Sequence, residues 1–135
     1  MADKTFNLRI ISPTRIFFDG DVDMVEMKTT EGEIGVFAGH IPLTAILEPG
    51  VLRIKQEENV REAALHDGFV EIQKDRVTVL AESCEWPDEI DVERANEAKE
   101  RAERRIKSGK AEVDMLRAEL ALKKALTRID LAGRK

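Results

Sequence analysis

The segment Trp86-Pro87-Asp88-Glu89-Ile90-Asp91-Val92-Glu93-Arg94-Ala95 divides the chain into two kinds of sequence. Before it, apolar residues come in short runs separated by turn residues, which is the texture of β-strands. After it, they recur at three- and four-residue spacing, which is the texture of helices. Working back, Val77–Ala81, Phe69–Gln73, Val60–Leu65, Val51–Lys55 and Thr44–Leu47 are expected as strands. Lys74-Asp75, Asp67-Gly68, Glu58-Asn59 and Pro49-Gly50 are expected as the turns between them. Near the start, Phe6, Leu8 and Ile10 alternate with Asn7 and Arg9, a half-buried strand that Ser12-Pro13 breaks. A second strand begins at Arg15–Phe18 and is expected to end at the turn dipeptide Asp19-Gly20. A third begins around Val22 and Met24. Many short strands with regular turns predict a sandwich or barrel.

Working forward, Asp91 is placed to cap a helix whose face carries Val92, Ala95, Ala98, Ala102 and Ile106. A stripe this rich in alanine lets a neighbouring backbone come close. Glu97–Arg101, Glu100–Arg104 and Glu103–Lys107 are acid-before-base pairs four apart, each adding a few tenths of a kcal/mol. Ser108-Gly109 stops this helix. A second helix is predicted from about Ala111 to Leu131, with two apolar groups. Met115, Ala118, Leu122, Leu126 and Ile129 form one face; Val113, Leu116 and Leu120 lie nearly opposite. A helix packed only on its hairpin partner needs one stripe, so two imply a second surface to cover. The expected architecture is an all-β N-terminal sandwich, residues 1–86, followed by an α-helical antiparallel hairpin, residues 87–135.

Charge follows the same division. Residues 1–90 hold 9 Lys+Arg against 18 Asp+Glu, a net of −9, and residues 91–135 hold 13 against 9, a net of +4. All the aromatic residues (Phe6, Phe17, Phe18, Phe37, Phe69 and Trp86) fall in the first part. Charged residues make up 36% of the 135, so the chain is expected to be thin, with much surface per residue. No apolar run approaches the roughly 20 residues of a membrane span. The start, Met1 to Ile11, lacks the pattern of a signal peptide. The single cysteine, Cys84, excludes an intramolecular disulfide and fits a reducing compartment.

Most site chemistries find no support. Asp19-Gly20-Asp21-Val22-Asp23 starts like a calcium loop, but Met24 and Thr30 stand where its glycine and glutamate belong. His40, His66 and Cys84 have no ligand spacing for zinc. No catalytic acid/base pair or nucleophile stands out, so no enzyme is predicted. The glycine-rich stretch Glu31 to Leu43 lacks the endings of nucleotide loops and reads as tight turns. Basic residues of the hairpin do cluster: Arg94, Arg101 and Arg105 lie within about 40° on the first helix, and Arg117, Lys124 and Arg128 do so on the second. Two readings stay open, a solvated charged face and an anion site between two basic faces. A nucleic-acid surface is disfavoured, because this half has no aromatic for stacking. An acidic protein surface is the better complement.

Two stretches carry a family resemblance. The first is Glu31-Gly32-Glu33-Ile34-Gly35-Val36-Phe37-Ala38-Gly39-His40-Ile41-Pro42-Leu43. The second is Ile90-Asp91-Val92-Glu93-Arg94-Ala95, running on through Ala98-Lys99-Glu100-Arg101-Ala102-Glu103-Arg104-Arg105 to Arg117-Ala118-Glu119-Leu120-Ala121-Leu122-Lys123-Lys124-Ala125. Together, in this order, they resemble the epsilon subunit of bacterial F-type ATP synthases (delta in mitochondrial naming). The resemblance covers essentially the whole chain. It implies a non-catalytic rotor subunit of a proton- or sodium-driven complex, peripheral to the membrane on its cytoplasmic face. The sandwich would bind the gamma subunit and the c-subunit ring. The hairpin would fold on the sandwich or extend toward the alpha and beta subunits and inhibit ATP hydrolysis.

The resemblance also implies a site. No cofactor is required, but some bacterial members bind a regulatory ATP in the folded hairpin. Ile90, Asp91, Arg94 and Ala95 match that pattern, and Glu85, Arg101 and Arg128 match contributing positions. Asn96 stands where lysine is usual and Lys124 where an arginine often sits, which removes a planar fork for phosphate. Glu33 and His40 match positions near the rotor contact. A stand-alone ATP-sensing module of the same fold is the alternative.

Overall fold

The computed structural model describes residues 4–109 and 112–134. Eight strands precede two helices: β1 (Phe6–Ser12), β2 (Arg15–Val22), β3 (Met24–Thr29), β4 (Gly32–Phe37), β5 (Leu43–Leu47), β6 (Gly50–Gln56), β7 (Asn59–Ile72), β8 (Arg76–Glu85), α1 (Val92–Ser108) and α2 (Glu112–Gly133), with a 3-10 turn at Pro87–Glu89. Neighbours across the sheet run β2-β1-β8-β7-β5-β3-β4. β6 pairs with β7 and β3, so it continues the place of β5 in the row after the break at Glu48-Pro49. The row folds over itself into a sandwich. Its interior is filled by alternate residues, among them Phe6, Leu8 and Ile10 of β1, Val25 and Met27 of β3, Leu52 and Ile54 of β6, Val70 and Ile72 of β7, and Val77 and Val79 of β8. The alternation of the first strand is thus a true core face.

Two expected turn dipeptides are not turns, and Gly32–Phe37 of the glycine-rich stretch, expected as tight turns, is the strand β4 paired along β3. Asp19-Gly20 lies inside β2, with Arg9 opposite Asp19 and Leu8 opposite Gly20. The reversal happens earlier, at Pro13-Thr14, where Ser12 faces Arg15. Once that short loop fixes the register, antiparallel pairing carries β2 along β1 as far as Val22, which belongs to this strand and not the next. A bulge between Ile10 and Ile11 inserts one extra residue in β2, and Phe17 and Phe18 are both buried.

Asp67-Gly68, in turn, lies within the 14-residue β7. Both residues have positive φ, 53° and 147°. The kink passes one edge of β7 from β6, whose first residue Gly50 lies opposite Leu65, to β5, whose last residue Leu47 lies opposite Gly68. Just before it, Ala63, Ala64, Leu65 and His66 are buried in succession. Ala63 and Leu65 belong to the sandwich core; Ala64 and His66 point the other way, where α2 packs on β7.

Asp91 caps α1 by accepting from the Arg94 amide at 3.1 Å, and Gly109 ends it in the left-handed region. The helices meet through alanines: Ala95 and Ala102 of α1, and Ala118 and Ala125 of α2, are buried. The second stripe of α2 is used in part. Thr127 and Leu131, which continue the line of Leu116 and Leu120, are buried, at the end of α2 that is tied to the sandwich. Leu116 and Leu120 are 62% and 37% exposed. The side chain of Val113, like residue Ala111, lies outside the described residues. Leu126 departs from the expected buried face and is 44% exposed. It lies on the margin of that face and lines a cleft between α2 and the sandwich.

Candidate functional site

Where the end of β8, the 3-10 turn and both helices converge, a cavity of about 370 Å³ opens, lined by Glu85, Glu89, Asp91, Arg94, Ala95, Ala98, Arg101 and Arg128. That volume lies in the range of small-ligand sites. Ala95 and Ala98 provide the floor, because the alanine stripe leaves room that larger side chains would fill. Arg94 and Arg101 sit two turns apart on α1, and Arg128 comes from α2. Three guanidiniums thus face one space, with Glu85, Glu89 and Asp91 at its margin. Such a ring suits an anion that also offers hydrogen-bond donors.

Glu85 is the junction of the site. Its Oε1 accepts from Arg128 Nε at 2.7 Å and from His66 Nε2 at 3.1 Å. His66 is 1% exposed and its Nδ1 has no hydrogen-bond partner among the described residues. Burial alone would raise the Glu85 carboxyl, but the hydrogen bonds from His66 and Arg128 outweigh it and bring it down to about 2. The carboxylate is therefore ionised near neutral pH at the margin of the cavity, and it holds Arg128. Glu89 is also lowered, by the guanidinium of Arg15 and then by the Trp86 amide.

Of the residues expected here, Glu85, Asp91, Arg94, Ala95, Arg101 and Arg128 line the cavity. Ile90 is half-buried in the connection beside it. Lys124 does not reach in; its Nζ lies 3.3 Å from Asp67 and 3.6 Å from Glu82, tying α2 to the sandwich. Glu89 and Ala98 were not anticipated. Ala98 was legible as part of the alanine stripe. Glu89 had no signal, because its place depends on Arg15, 74 positions away. His66 had none either, since its partner is on the next strand.

Neither Glu33 nor His40 lines this cavity: Glu33 lines the cleft between α2 and the sandwich, and His40 lies beyond the far end of β4. Glu33 is exposed on β4, opposite Lys28. His40 lies in the loop after β4, its Nδ1 donating to the Ile41 carbonyl at 2.8 Å. Phe37 and Ile41 beside it are exposed. On the outer face of the sheet, a second apolar row crosses five strands: Ile46, Phe69, Leu80, Ile11 and Ile16 are successive cross-strand neighbours. Cys84 is buried and its thiol is pushed up to about 12 by desolvation, so it stays protonated.

The family comparisons agree with this layout. Residues 5–87 match the family model for the ATP synthase delta/epsilon chain β-sandwich domain, and residues 88–133 match that for its long α-helix domain. An ATP synthase epsilon chain of Halalkalibacterium halodurans is 49% identical over 131 residues, covering 96% of this chain and 98% of its own. One from Caldanaerobacter subterraneus is 44% identical over 133 residues, covering 98% and 96%. A chain in the Euglena gracilis mitochondrial ATP synthase has the same fold, with a TM-score of 0.83 at 24% identity over 96% of this chain and 82% of that one. On the strength of both family models and these full-length relatives, the chain belongs to the ATP synthase delta/epsilon family.

Proposed function

We propose that this epsilon-type chain is a non-catalytic central-stalk subunit of an F-type ATP synthase, driven by protons or sodium and held at the cytoplasmic face of the cell membrane through the complex. It couples rotation of the c-ring and gamma subunit, and its hairpin restrains ATP hydrolysis. The observation that carries this reading is the hairpin's attachment. Helix meets helix through small alanines, and α2 meets the sandwich through ion pairs beside buried Thr127 and Leu131, Lys123–Glu48, Lys124–Asp67, Arg128–Glu85 and Arg134–Glu62, at 3.7, 3.3, 2.7 and 2.7 Å. Interfaces of that kind part more readily than apolar cores. Leu116 and Leu120 stay uncovered, ready for another partner such as the alpha and beta subunits. The outer apolar row, and by resemblance Glu33 and His40, support a sandwich, residues 1–86, that serves as the rotor-bound unit for gamma and the c-ring, with residues 87–135 as the movable one.

The test is ATP hydrolysis by a catalytic sector depleted of its epsilon subunit, after adding the full chain or residues 1–90. Slowing by the full chain alone supports the reading. Binding of both without slowing would leave coupling but remove the inhibitory role, and failure of both to bind would sink the reading.

A second reading is favoured by the cavity itself: a regulatory ATP, bound without hydrolysis, would bring the three arginines together and hold the hairpin folded. A stand-alone ATP sensor of this fold would do the same without a rotor. Arg94→Ala with Arg101→Ala should abolish ATP-dependent compaction measured by small-angle scattering; compaction that survives would argue against a phosphate-binding role for these residues.

A further inference from the structure

The connection between sandwich and hairpin is held by a set of contacts that involve neither helix. Glu89 accepts from Arg15 through both oxygens, Nη1 to Oε2 at 2.9 Å and Nη2 to Oε1 at 2.7 Å. Its Oε1 also accepts from the Trp86 amide at 2.8 Å. Arg15 Nη2 donates further to the Cys84 carbonyl at 3.2 Å. The Trp86 ring stacks on Phe17, centroids 4.2 Å apart at 21°, and the Arg61 guanidinium lies 3.9 Å from the Trp86 centroid. Arg15, Phe17 and Arg61 all belong to the sandwich. The turn closes locally, the Glu89 amide donating to Trp86 O and the Ile90 amide to Pro87 O. The next backbone bond, from the Ala95 amide to Asp91 O, already belongs to α1.

We infer that Arg15 is a positioning residue which, through Glu89, clasps residues 84–90 onto the sandwich, so that the hairpin turns on the Ile90–Asp91 peptide and the cavity is assembled from a fixed acidic wall and a moving basic one. Glu85 and Glu89 form the fixed wall; Asp91, Arg94, Ala95, Ala98, Arg101 and Arg128 arrive with the helices. This rests on the reading of the hairpin as a movable arm. The competing ties are the packing of α2 against the 3-10 turn and the bond from Arg128 to Glu85. They supply none of the bonds to Glu89 or Trp86 described above. A bidentate arginine pair backed by a stacked ring is the geometry in which a surface ion pair holds a segment in place. The consequence is that the acidic wall stays in place when the hairpin leaves, and that ligand affinity is set by closing the basic wall onto it.

Residue-resolved hydrogen exchange on the full chain tests this, with the single tryptophan as a second reporter. Ala102→Asp with Ala125→Asp places carboxylates in the helix–helix seam and releases the hairpin. The Trp86, Glu89 and Ile90 amides should then keep their protection within about threefold, and Trp86 emission should not move, while α1 and α2 amides exchange freely. Loss of Trp86 and Glu89 protection together with the helices would overturn the clasp. Arg15→Ala in the intact hairpin should speed exchange at Trp86 and Glu89 by about tenfold or more, with Val70 and Val79 unchanged, and Arg15→Lys should fall between. No change at Trp86 and Glu89 in Arg15→Ala would also overturn it. If wild-type hairpin amides instead exchange only as slowly as Val79, the movable arm fails, and the two variant experiments still decide the clasp.

Discussion

At Gly68 the backbone leaves no room for a side chain. A Cβ built there would lie 2.1 Å from the Leu80 carbonyl oxygen, and φ is +147°. Gly68→Ala should therefore cost more than about 3 kcal/mol, because strain and a backbone clash act together. Urea unfolding checks this; a loss below about 1 kcal/mol would mean that β7 can shift away from β8. Glu85 makes a second residue-scale prediction. Its carboxyl titrates near 2 when folded and at 4.5 ordinarily, so ionisation favours the folded form. That contribution is complete above about pH 4.5 and is lost as the pH falls toward 2. Since Arg128 is one of its two donors, hairpin docking should weaken through that window. Small-angle scattering should show the radius of gyration rising, and Arg128→Met should flatten the change.

The hairpin behaves as an element made by its own sequence and placed by its surroundings. Asp91 and Gly109 mark the ends of α1 by local bonding alone, so both were readable without tertiary information. Asp91→Ala should cost the hairpin about 1 kcal/mol, seen as roughly fivefold faster exchange of α1 amides with β8 unchanged. Ala125 is fully buried where the helices approach. Ala125→Leu should push them apart at a cost of about 1–3 kcal/mol, and a hairpin as stable as wild type would show that the seam is not close-packed. The strands were less legible at their ends. Asp19-Gly20 and Asp67-Gly68 carry the same local signal as a turn, yet one lies in a flat antiparallel pair and the other in a kink at positive φ. Both outcomes suit the same residue types, so only pairing partners far along the chain distinguish them.

On the scale of the molecule, the charge asymmetry becomes an interface. The basic hairpin lies on the acidic sandwich through Lys123, Lys124, Arg128 and Arg134. These pairs are partly exposed, so salt should screen them. Raising ionic strength from roughly 0.05 to 0.5 M should increase the open fraction of the hairpin, measured by energy transfer between labels on Leu116→Cys and Thr5→Cys. A fraction indifferent to salt would shift the weight of docking to Leu131 and Thr127. The outer apolar row needs five strands side by side, and its members are spread from position 11 to position 80. No stretch of the sequence displays it.

What the sequence determined alone is what local physics decides: strand alternation, the two helices and the caps of the first, the alanine seam, the opposite charges of the halves, and the motifs that mark the family. Tertiary structure decided what depends on contacts between distant positions. It made Asp67-Gly68 a kink and not a reversal, turned Lys124 toward Asp67 and away from the cavity, set Glu85 between His66 and Arg128, and let Arg15 hold Glu89 at the base of the hairpin. The kink needs two distant strands to pair along one edge of β7, and each of the others needs two or three side chains from separate elements to meet within hydrogen-bond distance, conditions that folding satisfies and that residue spacing along one chain does not encode.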